Sequence, residues 1–386
     1  MHSVLLYCII SIMDANKSKL NHLVLSGFKS IDVGSNSLDL NFSDINIIIG
    51  ANGAGKSNVV SFFKMLNNMM TGALQQFVGK NGSAENLLHF GSKRTPLIKA
   101  SLEFQNESNS DVYDFSLVRA VQDSLFFSDE TVTWNGRKHE LASGQKESYL
   151  LSGDATHSYE KIVRIILSNC RAFQFHDTSD MAHIRSAGDI DNNRFLMSDG
   201  GNLAAYLYML KNKSPAYRKY YDSIVRKIRF VMPQFDDFVL EPQMLNGGYI
   251  KLRWKAQGEP EYTFGAEQLS DGTIRFMALA TLFLQPPELL PTVIVIDEPE
   301  LGLHPFAIDI LADMIKGVAD HAQVIVATQS ARLVDNFLPS QIVVADYDAF
   351  QRCSLFRRLN EDELADWLQE FCLSELWEKN VIGGQP

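Results

Sequence analysis

An α/β fold is what the sequence predicts: a parallel or mixed sheet flanked by helices, with an inserted lobe of strands and helices. Three observations predict it. The run Ile45–Ile49 (INIII) leads straight into a glycine-rich octapeptide, and Asn58 to Met70 then carries an amphipathic helical pattern. The β-branched run Val293–Ile296 ends on two consecutive acids, Asp297 and Glu298. Beyond residue 266 strand and helix patterns alternate, with a helix over Ile274–Leu284, a helix over Phe306–Ala319 and a strand over Gln323–Ala327. Such alternation implies a parallel sheet with helices on its faces.

The remaining elements follow in order. Residues 20–49 alternate polar and apolar in strand fashion, with Leu23, Leu25, Phe28, Leu38, Leu40 and Phe42 on the apolar side. From about 75 to 265 the pattern loosens. Phe90–Phe104, Val112–Val118 and Leu125–Trp134 read as strands of a meander, and Tyr159–Cys170, Asn202–Lys211 and Ser214–Phe230 as helices. The last of these has Ser214 as N-cap and Pro215 at the first helical position, where both residue types are favoured. Residues 249–254 (YIKLRW) read as one strand, and the last forty residues as helical and mixed, closing in a Gly-Gly turn. Four segments result: an N-terminal lobe over 14–75, an inserted lobe over 76–265, a second lobe over 266–345 and a helical tail over 346–386.

A chain of 386 residues, 46% of them hydrophobic, is ample for a large core. The net charge of −11 argues against wholesale coating of nucleic acid and leaves room for a local basic patch. Four scattered cysteines without a CxxC pair fit reduced thiols better than a disulfide framework or a zinc site. The apolar run Val4–Met13 is too short to span a bilayer, which takes about 20 residues, and lacks the basic lead of a secretory signal. It reads as an upstream start, with Met13 as a second candidate, or as an apolar tail. The protein is expected to be cytoplasmic, with no membrane association.

The octapeptide Gly50-Ala51-Asn52-Gly53-Ala54-Gly55-Lys56-Ser57 fits the G-x-x-x-x-G-K-[ST] pattern of a P-loop NTPase, in the strand–loop–helix setting that pattern requires. Its glycines allow the backbone to turn N–H groups inward around phosphates, and the helix start after them adds its positive end. Lys56 is expected on the β- and γ-phosphates, Ser57 on Mg²⁺, and Asn58 beside them at the helix start. ATP and Mg²⁺ are therefore the expected cofactors. A buried strand delivers Asp297 and Glu298 at its carboxyl end, where ligands sit in open α/β sheets. Asp297 would join the Mg²⁺ shell, and Glu298 would orient and deprotonate the attacking water. Taken alone, such a pair is equally a solvated strand end.

Leu269-Ser270-Asp271-Gly272-Thr273 opens a helix, and at this point the sequence resembles the ABC-type ATPases, whose signature reads LSGGQ or a close variant. The resemblance implies that Ser270 and the Gly272 backbone touch the γ-phosphate held by a second subunit; the plainer alternative is an N-cap at Ser270 or Asp271. The segment DEPELGLHP is similar to the carboxylate and D-loop region of the RecF, SMC and OLD (overcoming lysogenization defect) branch rather than to that of transporters. Gln329, in Ala327-Thr328-Gln329-Ser330, stands where that family places a switch histidine. An amide still hydrogen-bonds a γ-phosphate but carries no proton's charge.

Phe173–Ser179 (FQFHDTS) and Glu375–Pro386 (ELWEKNVIGGQP) are also similar to recurrent pieces of the OLD-like ATPases, often classed simply as AAA-family ATPases. Gln174 is a candidate for the family's lid glutamine; His176 and Asp177 read equally as loop-capping residues. The resemblance implies the ATPase half alone, without the Toprim nuclease domain of OLD nucleases. It implies a homodimer closed by ATP, a separate effector such as a nuclease or Toprim-like protein, and a role in phage defence or DNA repair. Lys211–Arg229 carries seven basic residues against one acid, and Arg218, Lys219, Arg226 and Arg229 share one helical arc, a candidate surface for DNA or RNA or simply a solvated face. A scaffold that binds ATP with little hydrolysis and a transporter nucleotide-binding subunit are the alternatives, the latter disfavoured by the long middle segment.

Overall fold

The computed structural model describes residues 18–105, 110–152 and 157–385, and the apolar run Val4–Met13 lies outside them. The chain opens with β1 (Lys19–Ser26), β2 (Leu38–Asn41) and β3 (Ile45–Ile49), the last buried along its whole length. Helices α1 (Lys56–Met69) and α2 (Leu74–Lys80) follow, then the meander β4 (Leu97–Gln105), β5 (Ser110–Arg119), β6 (Leu125–Trp134) and β7 (Arg137–Glu140). Next come α3 (Ser158–Ser168), β8 (Cys170–Phe173), β9 (Gly188–Asp189), α4 (Leu203–Asn212) and α5 (Pro215–Val231). Five short strands, β10 (Phe235–Phe238), β11 (Pro242–Gln243), β12 (Asn246–Ile250), β13 (Arg253–Ala256) and β14 (Glu259–Gly265), lead to α6 (Asp271–Phe283). The chain continues through β15 (Val293–Asp297), α7 (Pro305–Val318), β16 (Gln323–Ala327) and α8 (Ala331–Val334). It ends with β17 (Ile342–Asp348), β18 (Cys353–Arg358), α9 (Glu361–Leu364) and α10 (Leu373–Glu378).

The chain divides into two compact units. The first comprises residues 18–172, 291–295 and 322–385 of the described chain, the second residues 173–290 and 296–321. A six-stranded sheet of order β18-β17-β3-β16-β15-β8 forms the centre of the first unit, with β3 parallel to both β16 and β17 and β18 antiparallel at the edge. Burial on both faces explains why β3, β15 and β16 are near-continuous runs of Ile and Val rather than alternating ones. A second six-stranded sheet, β2-β1-β4-β5-β6-β7, is antiparallel throughout, and α1 packs into the core it shares with the first sheet through Val59, Phe62, Phe63 and Leu66. The meander thus belongs to the unit of the glycine-rich loop, and the stretch 76–265 is shared between the two units.

Four local expectations change. The first meander strand begins at Leu97, because Phe90 (φ 53°) and Gly91 (φ 79°) form a turn. Residues 249–254 form two strands in different sheets: Tyr249 pairs with Asp189, whereas Arg253 pairs with Gly265. Ile250, Leu252 and Trp254 are all buried, so the period-2 alternation runs on unbroken while the hydrogen-bonding partner changes. The helix expected from Ile274 starts at Asp271, with Ser270 as N-cap. The tail expected to be helical from 346 begins instead with the end of β17 and with β18, whose inside-out burial at Cys353-Ser354 breaks the alternation by which strands are recognised.

Candidate functional site

In the first unit the glycine-rich loop connects β3 to α1. Gly50 (φ 153°), Gly53 (φ 84°) and Gly55 (φ 104°) all occupy backbone conformations that side chains disfavour. Space forbids a side chain at two of them: a Cβ on Gly50 would stand 2.2 Å from the Ala345 carbonyl oxygen, and one on Gly55 would stand 2.2 Å from Ser354 Oγ. Around Gly53, by contrast, no atom lies within 4 Å of that position. The buried Lys56 ammonium donates to the carbonyl oxygens of Gly50 (2.7 Å) and Ala51 (2.9 Å), which holds its charge inside the loop. Ser57 is exposed in the first turn of α1, and Asn58 donates to Ser30 Oγ (2.6 Å). A buried ammonium, a first-turn hydroxyl and a helix N-terminus form a donor set suited to a polyphosphate.

Gln329 follows β16 in the same unit and is exposed. Thr328 N donates to the Ile48 carbonyl (3.0 Å), and Ser330 caps α8 by accepting from Leu333 N (3.1 Å), so both neighbours of Gln329 are held. Gln329 shares a cavity of about 270 Å³ with Gly50, Ala51 and Asn52. The sequence-predicted loop and switch residue are therefore brought together.

In the second unit the segment Ser270–Thr273 begins α6. Ser270 Oγ accepts from Thr273 N (3.2 Å) and contacts Thr273 Oγ1 (2.8 Å), so Ser270 is the N-cap; Asp271 is not. The Asp271 carboxylate instead meets Arg185 (2.9 Å), and hydrogen bonds from Thr178 and Arg185 hold its pKa below the usual value. Arg185 is buried, donates to Thr178 O (2.7 Å) and Leu269 O (3.2 Å), and also bonds to Ala266 O, so one guanidinium anchors the entry to α6.

Asp297 ends β15, and its side chain is buried, whereas Glu298 is half-exposed and adopts φ 42°, the left-handed region that a Cβ disfavours. Strain of this kind persists where surroundings over-determine the backbone and is common in active sites. The turn Glu298–Leu303 is closed by Leu301 N to Glu298 O (3.2 Å) and Leu303 N to Glu300 O (2.9 Å), after which His304 caps α7 and Pro305 opens it. Asp177 caps its own loop by accepting from Ser179 Oγ (2.7 Å) and N (3.2 Å). His176 is not a cap: Nε2 donates to the Asp297 carbonyl (2.8 Å), and Nδ1 lies 2.9 Å from the Gln174 amide nitrogen.

Sequence reasoning missed Arg275. Its guanidinium donates to Phe175 O (2.9 Å) and His176 O (3.2 Å) and bonds to Leu301 O, joining α6, the Gln174 segment and the turn after Glu298. A single charged residue, an arginine, in the run Ile274–Phe283 was the available signal, since a buried cation must find acceptors. Among the described residues no cluster of three or more His, Cys, Asp or Glu side chains is arranged to hold a metal ion. The Ser57 hydroxyl and the Asp297 carboxylate are hard oxygen donors, the kind that Mg²⁺ takes.

The fold is that of SMC head domains. The SMC head bound to the C-winged helix domain of ScpA superposes with a TM-score of 0.59 at 16% identity, over 90% of this chain and 99% of that one. An SMC head with an extended coiled coil, bound to the C-terminal domain of ScpA and derived from Pyrococcus furiosus, gives 0.59 at 17% identity over 92% and 99%. The SMC head with coiled coil and joint from Pyrococcus yayanosii gives 0.55 at 12% over 92% and 99%. Over residues 45–335 the chain matches the AAA_21 family, described as "AAA domain, putative AbiEii toxin, Type IV TA system", and it belongs to that family.

Proposed function

We propose that this protein binds ATP with Mg²⁺ and hydrolyses it as an ATP-closed dimer, in the manner of the OLD-like and RecF-like ATPases. The observation that carries the reading is the loop Gly50–Ser57, with Lys56 held buried at the start of α1 and Gln329 lining the same cavity. The roles given to Asp297 and Glu298 rest on their place directly after the buried run Val293–Ile296. Lys56 would turn from its own loop carbonyls to the β- and γ-phosphates, while Ser57 and Asp297 hold the Mg²⁺ shell. The ion, when bound, offsets phosphate charge. Glu298 would orient a water and take its proton as the water attacks the γ-phosphorus and the bond to the β–γ bridging oxygen breaks to release ADP, and the Gln329 amide would donate to a γ-phosphate oxygen. Ser270 and the Gly272 backbone of a second protomer would complete the site, so ATP joins the dimer and hydrolysis releases it.

The output would be control of a separate effector such as a nuclease, in phage defence or DNA repair. Nucleic acid would be met through α5. There Arg218 and Arg229 are paired with Asp222 and Asp236, while Lys219 and Arg226 are exposed and form no ion pair among the described residues; Lys211, at the end of α4, is paired with Asp237. Among the described residues no helix is long and apolar enough to cross a membrane.

ATPase rates and light scattering with ATP test the proposal. Lys56→Ala should abolish ATP binding, and Glu298→Gln should stop turnover and accumulate a dimer. A native protein that stays monomeric with ATP would sink the shared site. Gln329 motivates a second reading, a nucleotide-dependent scaffold with little hydrolysis; equal, near-zero rates for native protein and Glu298→Gln would favour it.

A further inference from the structure

After β18 the polypeptide returns to the glycine-rich loop. Ser374, in α10, donates from N to Asp335 Oδ1 (2.8 Å) and from Oγ to Asp335 Oδ2 (2.7 Å). Asp335 is the C-cap of α8, the helix that follows Gln329. Beyond α10 the chain makes a turn at Gly383 (φ 75°) and Gly384 (φ 77°), two successive left-handed residues that glycine adopts without penalty. Gly384 N donates to Asp346 Oδ1 (2.6 Å), the Trp377 indole donates to Gly384 O (3.0 Å), and Arg357 bonds to Ile382 O, whose side chain is buried. The turn is seated on the loop itself: a Cβ on Gly384 would stand 3.3 Å from Gly50 Cα and 3.0 Å from Val344 Cγ1. Trp377, Glu378 and Gln385 complete the wall of the 270 Å³ cavity that Gly50, Asn52 and Gln329 line.

We propose that the Trp377–Gln385 turn is a positioning element of the nucleotide site, one that holds the entry of the phosphate loop and ties it to the Gln329 segment. The connections form a ring within one unit: Gln329, α8, Asp335, Ser374, α10, Trp377, Gly384, Gly50. Glycine at 50 and 53 leaves the loop free to wander, and a brace on Gly50 removes freedom that phosphate binding would otherwise have to remove. Because the brace also reaches α8, displacement of either segment by a triphosphate is transmitted to the other. The triphosphate is the ligand concerned, since Gly50 opens the loop proposed to cradle its phosphates and Gln329 is the residue assigned to the terminal one. This inference rests on the ATP-binding reading above.

Full-length native protein, Lys56→Ala, Trp377→Phe and Asp346→Ala are compared by titration with fluorescent ATP and ADP analogues, by tryptophan emission and by thermal melting without nucleotide. Trp377→Phe keeps an aromatic ring and deletes the donor to Gly384; Asp346→Ala deletes the acceptor from Gly384 N by an independent route. Both should weaken ATP binding about tenfold, and ADP binding less, as expected for lost preorganisation. Native tryptophan emission should shift on ATP addition, and that shift should be absent in Trp377→Phe. Native-like ATP affinity in both variants overturns the inference, and so does a lower melting temperature with unchanged affinity, which marks a merely structural turn. Native protein that fails to bind ATP overturns the reading beneath it as well. Binding by native but not by Lys56→Ala keeps that reading intact whatever the two turn variants do.

Discussion

A Cβ on Gly272 would stand 2.1 Å from the carbonyl oxygen of Gly302, so the start of α6 touches the turn after Glu298 backbone to backbone. Gly302 itself lies at φ 75°. The glycine at 272 therefore has a steric reason as well as the phosphate-binding role proposed for it. Arg275, one turn further along α6, bonds to Leu301 O in the same turn.

Gly272→Ala is expected to destabilise the fold by about 1–3 kcal/mol, the usual cost of forcing atoms into a packed contact, because the obstructing atom is backbone. Urea unfolding measures it. A variant as stable as the native protein would show that α6 and the turn separate freely.

Glu298→Gly should keep or raise stability, by up to about 1 kcal/mol. A left-handed non-glycine residue costs roughly 1–2 kcal/mol, and the added freedom of glycine in the unfolded chain returns roughly 0.5–1 kcal/mol of that gain. Glu298→Gln keeps the strained φ and should leave stability unchanged. Both should lose hydrolysis. A clear drop in denaturation midpoint for Glu298→Gly would mean the carboxylate itself holds the turn.

Asp111 supplies a pH dependence. Burial pushes its carboxyl up to about 6 from an ordinary 3.8, against a smaller opposing hydrogen bond from the Asn135 backbone. The folded state thus holds the proton more tightly than the unfolded chain. Its contribution to stability is complete below pH 3.8 and is lost as pH rises through about 6. Glu130, buried in the same meander beside Tyr113 (2.7 Å) and Ser148, is also raised by burial and acts in the same sense. Asp111→Asn should flatten the stability profile between about pH 4 and pH 6. Urea midpoints across that range check it, and a profile as steep as that of the native protein would refute the assignment.

Much of the site was legible because its residues act through the backbone or through their neighbours in sequence. A strand of Ile and Val, three glycines at loop spacing and a lysine at the helix start constrain one another locally. Ser270, one of two candidate N-caps in the sequence, caps α6 through Thr273, only three residues on. His176 was read as a loop cap because nothing near it in sequence announces Asp297, 121 residues away, whose carbonyl it meets. The basic arc on α5 was real as a periodicity, but Asp236, which pairs with Arg229, arrives from β10.

By itself the sequence determined the glycine-rich loop, the acids at the end of β15 and the succession of buried strands and helices. Each depends on φ preferences, side-chain periodicity or the chemistry of adjacent residues. Only the tertiary structure decided that Gly272 meets Gly302, that Arg275 and His176 serve distant carbonyls, and that the Gly383-Gly384 turn rests on Gly50. Those contacts join segments separated by tens to hundreds of residues, and hydrogen-bond acceptors on the backbone leave no trace in the amino-acid code.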